Sequence, residues 1–102
     1  MMLILRDDPV IEVFDSPNQP PDWIEAIDIE NAEYQFCDDN GQRYVGVITR
    51  PSGWFRNAEF QLRPEGNADI KNALALVDRA ELMESNDRFS SLEALREYLK
   101  AK

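Results

Sequence analysis

The chain has 102 residues, 43% of them hydrophobic, and 20 acids against 11 bases give it a net charge of −9. That length suits a single domain over residues 1–102, able to bury roughly two thirds of the surface its unfolded chain exposes. The composition excludes a disordered tail, no apolar run approaches the roughly 20 residues of a membrane span, and the charge opposes binding to nucleic acid or to an anionic membrane.

Met1–Leu5 has no basic region before it and meets Arg6-Asp7-Asp8 at once, so it reads as a first strand rather than a leader, and the chain as cytoplasmic. The apolar, β-rich run Val10–Phe14 reads as a second strand. Ser16-Pro17-Asn18-Gln19-Pro20-Pro21 is a loop, after which Pro21 and Asp22 open a short helical turn carrying Trp23. Between Glu33 and Leu62, Asn40-Gly41 lies between two β-rich runs, which predicts a hairpin with a two-residue type I′ turn. In that register Phe36 opposes Val45 and Cys37 opposes Tyr44. Tyr34, Phe36, Val45 and Val47 then share the core face, and Cys37, Tyr44 and Ile48 share the other. Pro51-Ser52-Gly53 supplies a turn. The alternation of Trp54, Ala58, Phe60 and Leu62 with Phe55, Asn57, Glu59 and Gln61 gives a further strand, in which Arg56 alone breaks the pattern.

Past Pro64-Glu65-Gly66 the period changes. Ile70, Ala73, Leu74 and Val77 recur at helical spacing, predicting a helix capped by Asn67 and running to about Met83. Ser85-Asn86-Asp87 breaks it, and Ser90 with Glu93 forms a capping box for a second helix with the stripe Leu92, Leu95 and Leu99. Strands first and helices last make an α+β domain, an antiparallel β-meander sheet with two C-terminal helices packed on one face.

Little in the chain carries chemistry. It has no histidine, and its single cysteine permits no internal disulfide. No glycine-rich phosphate loop, serine-nucleophile elbow or Cys/His cluster occurs, so no catalytic residue, cofactor or metal ligand is assigned. Asp7-Asp8 and Asp38-Asp39 are adjacent carboxylates, but neighbours along a strand point to opposite faces, and Asp38-Asp39-Asn40-Gly41 does not continue as a calcium loop. Cys37 lacks a neighbour to lower its pKa. Arg43, Arg50, Arg56 and Arg63 either form an anion site or, more simply, pair with the acidic first segment.

Charge placement is the most informative feature, for residues 1–40 hold eleven acids against Arg6 alone, a segment charge of −10. This points to a basic protein partner or to solubility alone. The leading expectation is a small acidic binding or inhibitory module. In general outline it resembles bacterial toxin-immunity proteins, a likeness of size, charge and composition that no motif carries. Its partner-binding residues would be Trp23, Glu25, Asp28, Glu30 and Glu33, with Tyr44, Ile48 and Phe55 from an aromatic sheet face that is either open to a partner or covered by the N-terminal strand or the Trp23 segment. The alternatives are a small enzyme or ligand carrier with a pocket lined by carboxylates such as Glu25 and Asp28, and a homodimer or larger homo-oligomer joined through the sheet.

Overall fold

Met2–Leu5 (β1) is buried at every position, as a short continuous apolar run must be when both faces of its strand are covered. In the computed structural model, which describes residues 1–51, 53 and 58–102, β1 lies near the middle of the sheet. Its neighbours in the chain are Val10–Phe14 (β2), Gln35–Asp38 (β3), Arg43–Arg50 (β4), Glu59–Glu65 (β5) and Leu82–Met83 (β6), and the sheet order is β5-β4-β3-β1-β2-β6. All pairings are antiparallel except β2 with β6. The domain is therefore α+β. Its first hairpin folds so that β1, not β2, meets β3, with Leu3 opposite Cys37 and Ile4 opposite Phe36.

One sheet face carries the two C-terminal helices, Ile70–Arg79 (α2) and Leu92–Lys100 (α3). Ala73, Leu76, Val77, Leu95 and Leu99 bury themselves against Leu3, Leu5, Ile11 and Cys37. The caps sit beside the residues the sequence indicates. Asp69 rather than Asn67 caps α2, accepting from the Lys71 amide at 3.0 Å, and Ser91 rather than Ser90 caps α3, accepting from the Ala94 amide at 3.1 Å. Helix α2 also stops four residues before Met83. The Glu81 amide donates to the Pro9 carbonyl and that of Glu84 to the Ile11 carbonyl, both at 2.8 Å, so Leu82 and Met83 join the sheet as β6. Among the described residues no helix is long and apolar enough to cross a membrane.

The opposite face buries Met2, Ile4, Phe36 and Leu62 beneath Ile24 and the short helix Ala26–Glu30 (α1). Helix α1 rests on β4 at Gly46, where a Cβ would stand 2.4 Å from Ile29 Cγ2. The absent side chain is what allows the helix so close. At its C-terminus the Ala32 amide donates to the Ile29 carbonyl and that of Glu33 to the Asp28 carbonyl. This is a Schellman closure with alanine, at φ 52°, in the left-handed position where glycine is usual.

The β3–β4 hairpin differs from the expected two-residue turn. Asp38 and Gln42 are bonded through the Asp38 amide at 2.9 Å, the Gly41 amide returns to the Asp38 carbonyl, and Gly41 alone of the loop has positive φ, +82°. The loop is thus Asp39-Asn40-Gly41, a type I turn closed by a left-handed glycine. One extra residue shifts the register, and Phe36 opposes Tyr44 while Cys37 opposes Arg43. Because side chains alternate, Tyr34, Phe36 and Tyr44 lie under α1, whereas Val45 and Cys37 face the α2 side. Phe60 and Leu62 of β5 also pack on the α1 side. The expected beginning of this strand, Trp54 to Asn57, lies outside the described residues.

Candidate functional site

Helix α1 is amphipathic in a way that leaves one isoleucine outside. Ile29 points at Gly46, but Ile27 is two residues away along the helix and stays 58% exposed. It stands in an open groove with Asp22, Glu25 and Glu30, walled by Ala58 and Phe60 of the β5 side. Trp23, 40% exposed, precedes this segment in the chain and lies outside the groove lining. Its ring meets Tyr34 edge-on at 5.4 Å and lies 5.8 Å from the Arg6 guanidinium carbon, so the indole is held in place rather than swinging free. Ile27 is therefore an apolar side chain bordered by carboxylates. Asp22, Glu25 and Glu30 have no ion-pair partner among the described residues, while Asp78, Glu93 and Glu97 on the α2–α3 side are all paired with Arg96 or Lys100.

The structure gathers only part of the expected partner surface. Glu25 and Glu30 share the α1 groove, which Ile27 and Asp22 extend, whereas Trp23 packs on Tyr34 and Arg6 instead. Asp28 instead faces the crevice beside Tyr34 and Gly46, where its Oδ2 accepts from the Glu25 amide at 3.1 Å. Glu33 is exposed beside Asp28; desolvation and that neighbouring carboxylate both push its carboxyl above the ordinary range. Tyr44 and Ile48 are half-buried on the face that α1 covers, and the Tyr44 hydroxyl donates to Asp38 Oδ2 at 3.5 Å. Cys37 does not join them, since the register places it on the opposite face. Phe55 lies outside the described residues. Ile27 escaped the sequence reading because α1 is so short that no helical period identified it; the only signal was an isoleucine between acids at the wrong spacing from Ile29.

The paired carboxylates of the hairpin serve structure. Asp38 Oδ1 accepts from the Asn40 and Gln42 amides at 2.9 and 3.0 Å, which fixes the loop. Asp39 Oδ2 accepts from the Tyr98 hydroxyl at 2.7 Å and from Lys102 Nζ at 3.1 Å, tying α3 to the hairpin. Burial opposes ionisation of Asp39, but the bonds from Tyr98 and Lys102 outweigh it and hold its carboxyl below the usual range. Among the described residues no group of three or more His, Cys, Asp or Glu side chains could hold a metal ion. Cys37 is fully buried, and that burial pushes its thiol up to about 12, which leaves no thiolate for nucleophilic chemistry near neutrality.

Glu12, on β2, is the exception to satisfied polar groups. Its Oε2 is buried and has no hydrogen-bond partner among the described residues. Burial raises its carboxyl above the ordinary range; Arg6 pulls it back and Glu84 raises it further. A carboxyl whose folded pKa exceeds its unfolded value stabilises the fold below the unfolded pKa, and that contribution is lost as pH rises through the folded one. Glu12→Gln removes the charge that burial disfavours and is accordingly expected to raise the thermal midpoint at neutral pH. The gain should vanish in acid below the glutamate range. Circular dichroism melts at the two pH values check this, and a lowered neutral midpoint would refute it.

Comparison of the chain with known protein families, curated proteins and solved structures finds no match.

Proposed function

We propose that the chain is a protein-binding module whose α1 surface docks a basic protein, in the manner of a small inhibitor. The observation that supports this reading is the exposure of Ile27 in a groove beside the unneutralised carboxylates Asp22, Glu25 and Glu30. An apolar centre with a polar rim is how protein interfaces are organised, and one sign of charge on the rim accelerates encounter with the opposite sign. Size, acidity and the lack of any motif for catalysis agree with the general likeness to toxin-immunity proteins.

The test isolates partners from the native host and measures their binding kinetics against variants. Ile27→Asp is expected to weaken binding by about 2 kcal/mol or more, mainly through faster dissociation, as loss of a central anchor does. Changing Asp22, Glu25 and Glu30 together to the matching amides should slow association and remove most of its salt dependence, with dissociation changing less. A captured partner that is acidic, or that binds Ile27→Asp and the triple amide as well as the parent, would overturn the proposal.

A further inference from the structure

The described cations of this acidic chain divide into two groups. Arg6, Arg50, Arg88, Arg96, Lys100 and Lys102 are each ion-paired, whereas Arg43, Arg63, Lys71 and Arg79 have no carboxylate within ion-pair distance among the described residues. Two of the unpaired four line one groove, on the sheet face away from α1. Its floor is Val45 of β4 with Ala75 and Leu76 of α2, and the Arg43 and Arg79 side chains stand at its walls. Arg63, directly across the strands from Val45, adds a third guanidinium to the same face. Pairing of the middle-segment arginines with the acidic first segment does not occur for Arg43, Arg50 or Arg63; Arg50 pairs with Glu59 instead.

The groove is also partly organised in advance. Arg79 Nε donates to the Ala75 carbonyl at 3.4 Å and its Nη2 to Gln35 Oε1, so the guanidinium bridges α2 to β3, and three of its five donors have no partner among the described residues. Asn72 fixes the other end of α2's inner face by donating to the Gly41 carbonyl. Among the described residues Glu65 is the one acid in the lining, and it lies across from Arg43 without pairing with it. Guanidinium groups over an apolar floor match an anion with an apolar body, because the fork binds a carboxylate bidentately and the floor rewards burial of carbon. We infer that this groove is a binding site for a small organic carboxylate, held by Arg43 and Arg79 against Val45 and Leu76. The repulsion from the chain's net charge acts over longer distances and is screened at physiological salt, whereas the contacts in the groove are not. The site lies across the sheet from the α1 surface and stands or falls separately from it.

Octanoate is the probe, titrated into isotope-labelled protein while amide shifts are followed by NMR. Saturable binding in the millimolar range or tighter is expected, with the largest shifts at Val45, Ala75, Leu76 and Arg79. Octanol lacks the head group and acetate lacks the body, so each should bind about tenfold more weakly. Arg43→Gln and Arg79→Gln should each cost about tenfold in octanoate affinity, the scale of a lost charge-assisted hydrogen bond. Arg43 is exposed and makes no ion pair, so its variant tests the site even if Arg79→Gln loosens α2. Arg88→Gln, at a distant pair with Asp15, should leave affinity unchanged. No saturable shift in the groove, equal binding of octanol, or undiminished binding by Arg43→Gln would overturn the inference.

Discussion

Replacing Gly41 with alanine is expected to destabilise the domain by at least about 3 kcal/mol, two effects adding at one atom. The first is conformational, for φ is +82° and a Cβ there is strained whatever surrounds it. The second is a collision with main chain, since the new Cβ would stand 1.9 Å from the Asp69 carbonyl oxygen and 2.2 Å from its carbon. Neither atom belongs to a flexible side chain. The hairpin loop is wedged against the start of α2, and the Gly41 carbonyl accepts from both the Asp69 amide at 3.2 Å and Asn72 Nδ2 at 3.0 Å. Relief requires the loop and helix to separate and lose those bonds. Gly66 is the internal control, because its φ is +73° yet no atom lies within 4 Å of its hypothetical Cβ. Gly66→Ala should cost only the backbone term, about 1 kcal/mol. Urea unfolding of both variants decides the matter, and equal losses would show that the loop does not press on α2.

Phe36→Ala should cost about 3–5 kcal/mol, the range for removing a buried aromatic from a core that cannot collapse into the space. Phe36 is 4% exposed and stands between Ile4 and Tyr44 in the sheet, with Met2, Ile24 and Leu62 completing its surroundings. These neighbours belong to β1, β4, β5 and the segment before α1, so no single element can shift to fill the void. The core here is the one under α1, not the one under α2 and α3. The same substitution should therefore loosen Ile24 and α1 and reduce protection of their amides from exchange, leaving α3 amides protected until global unfolding. A loss below about 1 kcal/mol would mean that Phe36 is not part of this core.

The strands and amphipathic helices were legible because each has a clear period. Val10–Phe14, the Leu92-Leu95-Leu99 stripe and the Ile70-Ala73-Val77 stripe all fall where the pattern places them. The hairpin register was not legible, because Asn-Gly, the usual type I′ pair, also fits a three-residue loop closed by a left-handed glycine. A type I′ turn needs both central residues left-handed, and here only Gly41 is. What selects the longer loop is the Asp38 carboxylate, which accepts from two loop amides, together with the fit of Gly41 against Asp69. The C-terminal end of α2 was obscured in a similar way, as Leu82 and Met83 continue an apolar pattern whose use is settled only by the bonds of Glu81 and Glu84 to the β2 end of the sheet. Of the candidate surface, Glu25 and Glu30 came from charge density alone. Ile27 and the unpaired Arg43 and Arg79 needed three dimensions, since nothing along the chain distinguishes a paired cation from an unpaired one.

The ends of the sheet bear on how copies of this chain behave when crowded. At one end, β6 is two residues long and masks only Val10 and Ile11 of β2. At the other, β5 reads Glu59-Phe60-Gln61-Leu62-Arg63-Pro64-Glu65, three charges and a proline in seven residues. A foreign strand adding to β5 would have to bury charged side chains beside its own, and Pro64 offers it no amide hydrogen. Together with mutual repulsion between molecules of net charge −9, this makes strand addition at the β5 edge of the folded state unfavourable. Concentrated samples should stay clear on long storage at neutral pH, and cloud first near the isoelectric region at pH about 4.4, where that repulsion disappears.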